Sequence, residues 1–419
     1  MKSTTTSLHS NWRSGGKPIG FTVWTHLALG LLLTTGCLEG SGRGAADAGS
    51  SGADISTGGN VFVDPRTGCP AIEGPVPDQG PRAYVTLSNS DRVAVLDLSD
   101  PSRPEVIRCI SIDPNADWDD EPFDLAIDAS GRWYVTVPHG FGFLLGQLWS
   151  FDAGAVTRAQ SIDLVGEPDH VVLSPDGRTI YVTALQNIER PLGPYMEPGQ
   201  FMVIDRDRWE VQAQYPLGLG AAGLDITSDG SLVVITSAGT DELYLFTPDS
   251  GELRALPVGP APTVGTPTYQ PFYVALAADE TLAWVSALNS NDLRLLDLNT
   301  GELLAQLPLG EGANPRDVVR VPDHGLVAVA STGLDEVVLV DAVRRTIAQR
   351  IAVGPPVAQG GAPYGLAPIP GTPYLLVANS ADPGLATTTG SVAVLDVTTG
   401  EVVHTVALGL GARMIAVVP

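Results

Sequence analysis

From Arg82 onward the apolar residues come in short runs, many with partial period-two alternation, each ended by Asp, Asn, Gly, Ser or Pro. That pattern predicts half-buried antiparallel strands closed by tight turns. One unit is explicit in residues 169–187, DHVVLSPDGRTIYVTALQN, which reads as strand, Pro-Asp-Gly turn, strand, then loop. An aspartate closing a hydrophobic strand marks its recurrence at Asp97, Asp152, Asp205, Asp297, Asp341 and Asp396, and Thr247 holds the equivalent place between Asp205 and Asp297. These marks stand 42 to 55 residues apart, a period that points to a propeller or a solenoid. Each unit has a first strand such as LAID, a second such as WYVTV, a third ending at the landmark, and a fourth such as LLAQLPLG after a turn like LNTGE. The landmark aspartates are expected to fold back onto turn amides.

The two ends of this array fit each other. Its first unit starts at a second strand, Arg82-Ala83-Tyr84, and the chain ends on Met414–Pro419, a first strand with nothing after it. The prediction is all-β: a seven-bladed β-propeller of four-stranded antiparallel blades over residues 82–419, closed by the C-terminal strand completing blade one. Closure of this kind hides the open edge an unclosed stack would leave.

Tyr84-Val85-Thr86, Tyr134-Val135-Thr136 and Tyr181-Val182-Thr183, with SPDG-type turns and VID-type strands around them, resemble the YVTN family of β-propeller repeats. Blocks ending at Gly259 and Gly354 fit the same pattern, while VIT, WVS, AVA and LVA replace YVT in blades four to seven. The resemblance implies a fold and no activity, because the family is named for its repeat.

Composition adds two exclusions. Setting aside Lys2, Arg13 and Lys17, 20 of the 23 bases and all 47 acids remain, a net of −27. A body this acidic repels nucleic acid and anionic membrane surfaces. Ahead of it, a positive start, the apolar run Ile19–Leu33 and Thr34-Thr35-Gly36-Cys37 make an export signal. The run is short of the ~20 apolar residues that span a bilayer. The cysteine after Gly36 resembles the lipobox of bacterial lipoproteins, which implies cleavage before Cys37 and its lipidation. Thr34 stands where that motif prefers leucine, so cleavage elsewhere stays open. Leu38 after the cysteine implies the outer membrane. The expected organisation is therefore a signal peptide over 1–36, a Gly/Ser/Ala-rich tether over 37–60, and a Pro-rich lead-in over 61–81. In an exported chain Cys69 and Cys109 are a candidate disulfide.

Strand order sorts the loops. Links from second to third strand, and from fourth to the next first strand, share one face, and every long insertion falls there: 114–122, 138–147, 185–200, 259–271, 354–363 and 380–390. Such loops on a rigid scaffold are the usual place for binding. The pairs after Pro122, Pro168, Pro271, Pro315 and Pro363, with Arg413-Met414, enter the channel mouth. Candidate ligand-binding residues there are Asp124, His139, Asp169, His170, Tyr273, Arg316, Asp317 and Arg413. The histidines with Asp124 could form a metal or acid–base group, or hydrogen-bond loop backbone. The two arginines pair with the aspartates or receive an anion. The acidic loop around Trp118 (Asp117, Asp119, Asp120, Glu121) lacks calcium-loop spacing. No haem, zincin, nucleophile-elbow or P-loop motif occurs, and no catalytic residue, metal or cofactor is assigned. The reading is an envelope-anchored, monomeric binding or scaffold protein that offers its loop face to an unknown protein or small molecule. The alternative is a lactonase-like hydrolase or the propeller subunit of a periplasmic redox enzyme.

Overall fold

A computed structural model describes residues 69, 75–77, 79–113, 121–138, 146–185, 198–260, 268–354, 361–380 and 390–418. The chain divides into two units, Met1–Gly59 and Asn60–Pro419, and every described residue belongs to the second. The signal segment, Cys37 and the tether lie outside the described residues. So do His139, Asp117, Trp118, Asp119 and Asp120.

Seven four-stranded antiparallel sheets follow one another along the chain. The protein is a seven-bladed β-propeller. The strands facing the axis are Ala412–Val418 in blade one, Leu125–Ile127 in two and Pro168–Leu173 in three. Ala221–Ile226, Pro271–Leu276, Pro315–Val321 and Pro363–Pro368 serve blades four to seven. Closure is as the sequence predicts: Ala412–Val418 pairs antiparallel with Arg82–Leu87, from opposite ends of the array. Apolar side chains fill the seams between blades. Between blades six and seven, for example, Val337, Leu339 and Ile351 pack with Leu375, Val377 and Leu395. Full burial of each such side chain is worth about 1.5–3 kcal/mol before entropy is counted.

Local chemistry sets the turns. Asp97, Asp205, Asp297, Asp341 and Asp396 each accept a hydrogen bond from an amide two residues on, which closes the hairpin to the outer strand. Asp152 differs, taking the Arg132 guanidinium at 2.6 Å.

The threonine of the Tyr-Val-Thr segments joins blades. The Thr86 hydroxyl donates to the Phe123 carbonyl of blade two at 2.7 Å, and Thr136 donates to Asp169 of blade three at 2.9 Å. Thr183 reaches Ala222 and Thr236 reaches Phe272 in the same way. Each of the first three also accepts the amide of its own inner strand: Met414 to Thr86, Asp124 to Thr136 and His170 to Thr183. One hydroxyl thus satisfies a buried donor and a buried acceptor in adjacent sheets, groups that would be costly to leave unpaired. Where blade six carries Ala330 instead, Thr332 donates to Pro363 of blade seven at 2.6 Å.

Ahead of blade one, the lead-in is pinned at both seams. Cys69 packs in the cluster shared with blade seven and Val76 in the cluster shared with blade two. Cys69 is bonded to Cys109 of the outer strand, with Cα atoms 6.1 Å apart. Arg82 donates to the Pro77 carbonyl.

Candidate functional site

The inner strands do not run evenly to the axis mouth. In blade three Ala184 pairs with Pro168 and Val182 with Val171, so Asp169 and His170 together face Thr183 alone. The same shift leaves Arg413-Met414, Ala222-Gly223, Phe272-Tyr273, Arg316-Asp317 and Tyr364-Gly365 opposite single residues. These are β-bulges, which bend a strand and re-aim its side chains. In six of the blades they turn these paired residues toward the mouth of the axis. The pair in blade four, Ala222-Gly223, was not anticipated, and its small size matters. A Cβ on Gly223 would stand 2.8 Å from the Phe272 carbonyl oxygen.

Across that gap His170 of blade three meets Tyr273 of blade five, ring centroids 4.4 Å apart and edge-on. Tyr273 meets Tyr364 at 6.3 Å, Tyr364 meets Phe123 at 6.0 Å, and Phe123 returns to His170 at 6.4 Å. All four contacts are edge-to-face, the geometry aromatic quadrupoles favour. The result is a closed four-ring collar around the axis, built by blades two, three, five and seven. Phe123 and Tyr364 were legible as channel-mouth residues, but their part in a collar was not. Below it lies a cavity of about 430 Å³, lined by Asp124, His170, Tyr273 and Asp317 at the collar and by Arg320, Pro322 and Pro368 at the hairpin-turn end.

The buried carboxylates under the collar have structural partners. Asp124 accepts the amides of Leu125 and Val171 and the Nδ1 of His170, the last at 3.0 Å. Asp317 accepts the amide of Leu366 in blade seven, and Asp225 that of Leu276 in blade five. Each ties its inner strand to the next blade's. Burial pushes the His170 imidazole down, but Asp124, Asp169 and Asp317 outweigh it and hold it up at about 9. Burial lifts the Asp317 carboxyl to about 7 and the Tyr273 phenol well above its usual range. The carboxylates around His170 thus favour the protonated imidazole, and its Nε2 has no hydrogen-bond partner. No cluster of three or more His, Cys, Asp or Glu that could hold a metal occurs among the described residues.

Above the collar the picture changes. The Arg316 guanidinium lies over Phe272 and Tyr364, and that of Arg413 over Tyr364 at 4.7 Å and Phe123 at 5.9 Å. Asp169 is 2% exposed and its Oδ2 has no partner. Burial raises its carboxyl to about 7, helped by Asp124 and opposed by His170, Arg316 and Arg413. Seven of the eight residues chosen from the sequence thus lie in or beside the collar, and His139 lies outside the described residues.

Comparison with known proteins supports the fold at this point and nothing finer. No family model matches the chain, and no curated protein matches it. The chain is similar to a functionally unknown protein from Desulfotomaculum acetoxidans: TM-score 0.61, 16% identity, 80% of this chain and 98% of that one. It is similar to the periplasmic gluconolactonase of Pseudomonas aeruginosa: TM-score 0.59, 18% identity, 81% of this chain and 99% of that one. Kuenenia stuttgartiensis hydrazine synthase also matches, with TM-score 0.55 and 19% identity over 70% of this chain and 88% of that one. At these identities the likeness is one of fold.

Proposed function

We propose that the protein is an envelope-anchored binding scaffold that presents its long-loop face to a partner, with no reaction of its own. One observation carries this reading. Most of the groups that acid–base chemistry would recruit are bound into the scaffold: Asp124 holds two inner-strand amides and the Nδ1 of His170, and Asp317 holds the next blade. The long insertions supply what the core does not. The internal segments outside the described residues, 114–120, 139–145, 186–197, 261–267, 355–360 and 381–389, all connect strand ends of the same face. In this reading Cys37 carries the lipid, and residues 37–60 hold the propeller away from the outer membrane.

Photo-crosslinking in producing cells tests the proposal on the full chain. A crosslinker at Leu185 or Gly354, on the long-loop face, is expected to trap a discrete partner, and one at Ser228, in a hairpin turn, to trap none. Crosslinks from Ser228 alone, or from no position, would overturn it. Metabolic palmitate labelling lost in Cys37→Ser checks the anchor.

A second reading, a lactonase-like hydrolase, draws on the buried Nε2 of His170 without a partner and on the gluconolactonase name of one structural neighbour. Lactone turnover by the purified protein, lost in His170→Ala, would replace the scaffold reading.

A further inference from the structure

We propose that the long-loop mouth of the axis binds a small hydroxylated carboxylate, whose anionic end lies on Arg413 and whose hydroxyl bonds to Asp169. The site goes beyond the scaffold reading, sharing its face but needing no protein partner.

In a chain with 47 acids against 23 bases, several arginines pair with carboxylates, as Arg132, Arg344 and Arg350 do. Arg413 does not. Among the described residues it makes no hydrogen bond or ion pair; its guanidinium rests on the Tyr364 and Phe123 rings, and its buried Nε has no partner. Ring contacts steady a guanidinium without using its in-plane donors. What is left is a planar guanidinium whose terminal nitrogens are unused among the described residues, a group that can take a carboxylate by two parallel hydrogen bonds. Arg316, 5.3 Å from the same Tyr364 ring, adds a second positive charge.

Asp169 is the complementary group. It lies on the neighbouring inner strand but one and is almost fully buried, and its Oδ2 has no hydrogen-bond partner. A buried polar atom left unpaired is costly unless something outside the chain satisfies it. The groups acting on this carboxyl are His170 on its own strand, Asp124 in blade two, Arg316 in blade six and Arg413 in blade one, with Tyr273 of blade five alongside. Their balance leaves the carboxyl titrating near neutrality. Protonated, it stands beside an anion without repelling it and bonds to a hydroxyl. A monoanion suits the site better than a phosphate dianion, because the surrounding body is strongly negative.

The test is calorimetric titration of the full chain with glycerate, gluconate and inorganic phosphate between pH 5.5 and 8.5. The expected result is saturable binding of at least one of the two hydroxycarboxylates, tighter than phosphate and weakening above about pH 7. Arg413→Gln should lower the affinity at least tenfold, and Arg413→Lys should retain part of it, with both variants checked for an unchanged melting temperature. Asp169→Asn should remove the pH dependence. Should either arginine variant fail to fold, the Asp169→Asn pH profile decides alone. Absence of hydroxycarboxylate binding, affinity unaltered by Arg413→Gln in the folded protein, or a pH dependence that persists in Asp169→Asn would each overturn the proposal. Partner crosslinking from Leu185 is read separately, so loss of the anion site leaves the scaffold reading standing, and the reverse.

Discussion

Thr136 shows how much one hydroxyl can do in a repeat protein. It accepts the Asp124 amide at 2.9 Å and donates to the Asp169 carbonyl at 2.9 Å. Thr136→Val keeps the shape and strands both groups, so urea unfolding should report a loss of about 1–3 kcal/mol, and Thr136→Ser should recover most of it. The titrating side chains at the axis make a second prediction. Asp169 and Asp317 are raised to about 7 and His170 to about 9. In all three cases the native state holds its proton to higher pH than the unfolded chain does, so stability falls as pH rises. The carboxyl contribution is lost between about pH 4 and 7, and the imidazole contribution as pH passes from its ordinary value near 6.5 through about 9. The melting temperature should therefore decline from pH 5 to 9, and Asp317→Asn should flatten the acidic half of that decline. A melting temperature that climbs across this range would contradict the assignment.

At the scale of elements, the strands and tight turns were legible because they depend on neighbours in sequence. The period-two runs, the SPDG turns and the landmark aspartates are local signals, and Asp205, Asp297 and Asp341 close their hairpins as expected. The bulges were not legible, because two residues oppose one only after a strand has found its partner. Met414, His170 and Tyr273 owe their placement to that mismatch. The lead-in was legible through its cysteine, since Cys69 and Cys109 were natural partners in an exported chain. At a sequence separation of 40, the crosslink is worth roughly 3–4 kcal/mol by loop closure. Cys109→Ala should lower the unfolding free energy by about that much and release the lead-in to limited proteolysis around Val76. Equal stability and equal protease resistance would show that packing of Val76 and Cys69 suffices.

For the whole molecule, closure is the decisive property. The ring is completed by strand pairing between residues separated by most of the chain, such as Val85 opposite Ile415 and Arg82 opposite Val418. Removing residues 414–419 exposes the edge of Arg82–Leu87 in blade one and opens the array, since each sheet contacts chiefly its neighbours. The truncated protein should melt far lower or aggregate, and a melting curve equal to that of the full chain would reject closure as a source of stability.

The amino-acid sequence by itself determined the repeat, the number of blades, the manner of closure and the face that carries the insertions. Each of these follows from periodicity and connectivity, which are properties of order along a chain. Only the tertiary structure decided what stands at the axis. The collar joins Phe123, His170, Tyr273 and Tyr364 from four blades that are not all adjacent, and their meeting depends on the summed rotation of the intervening sheets. The same holds for charge. Asp124 is satisfied and Asp169 is not because burial and the approach of other strands set the partners of each, and neither is written in the residues beside them.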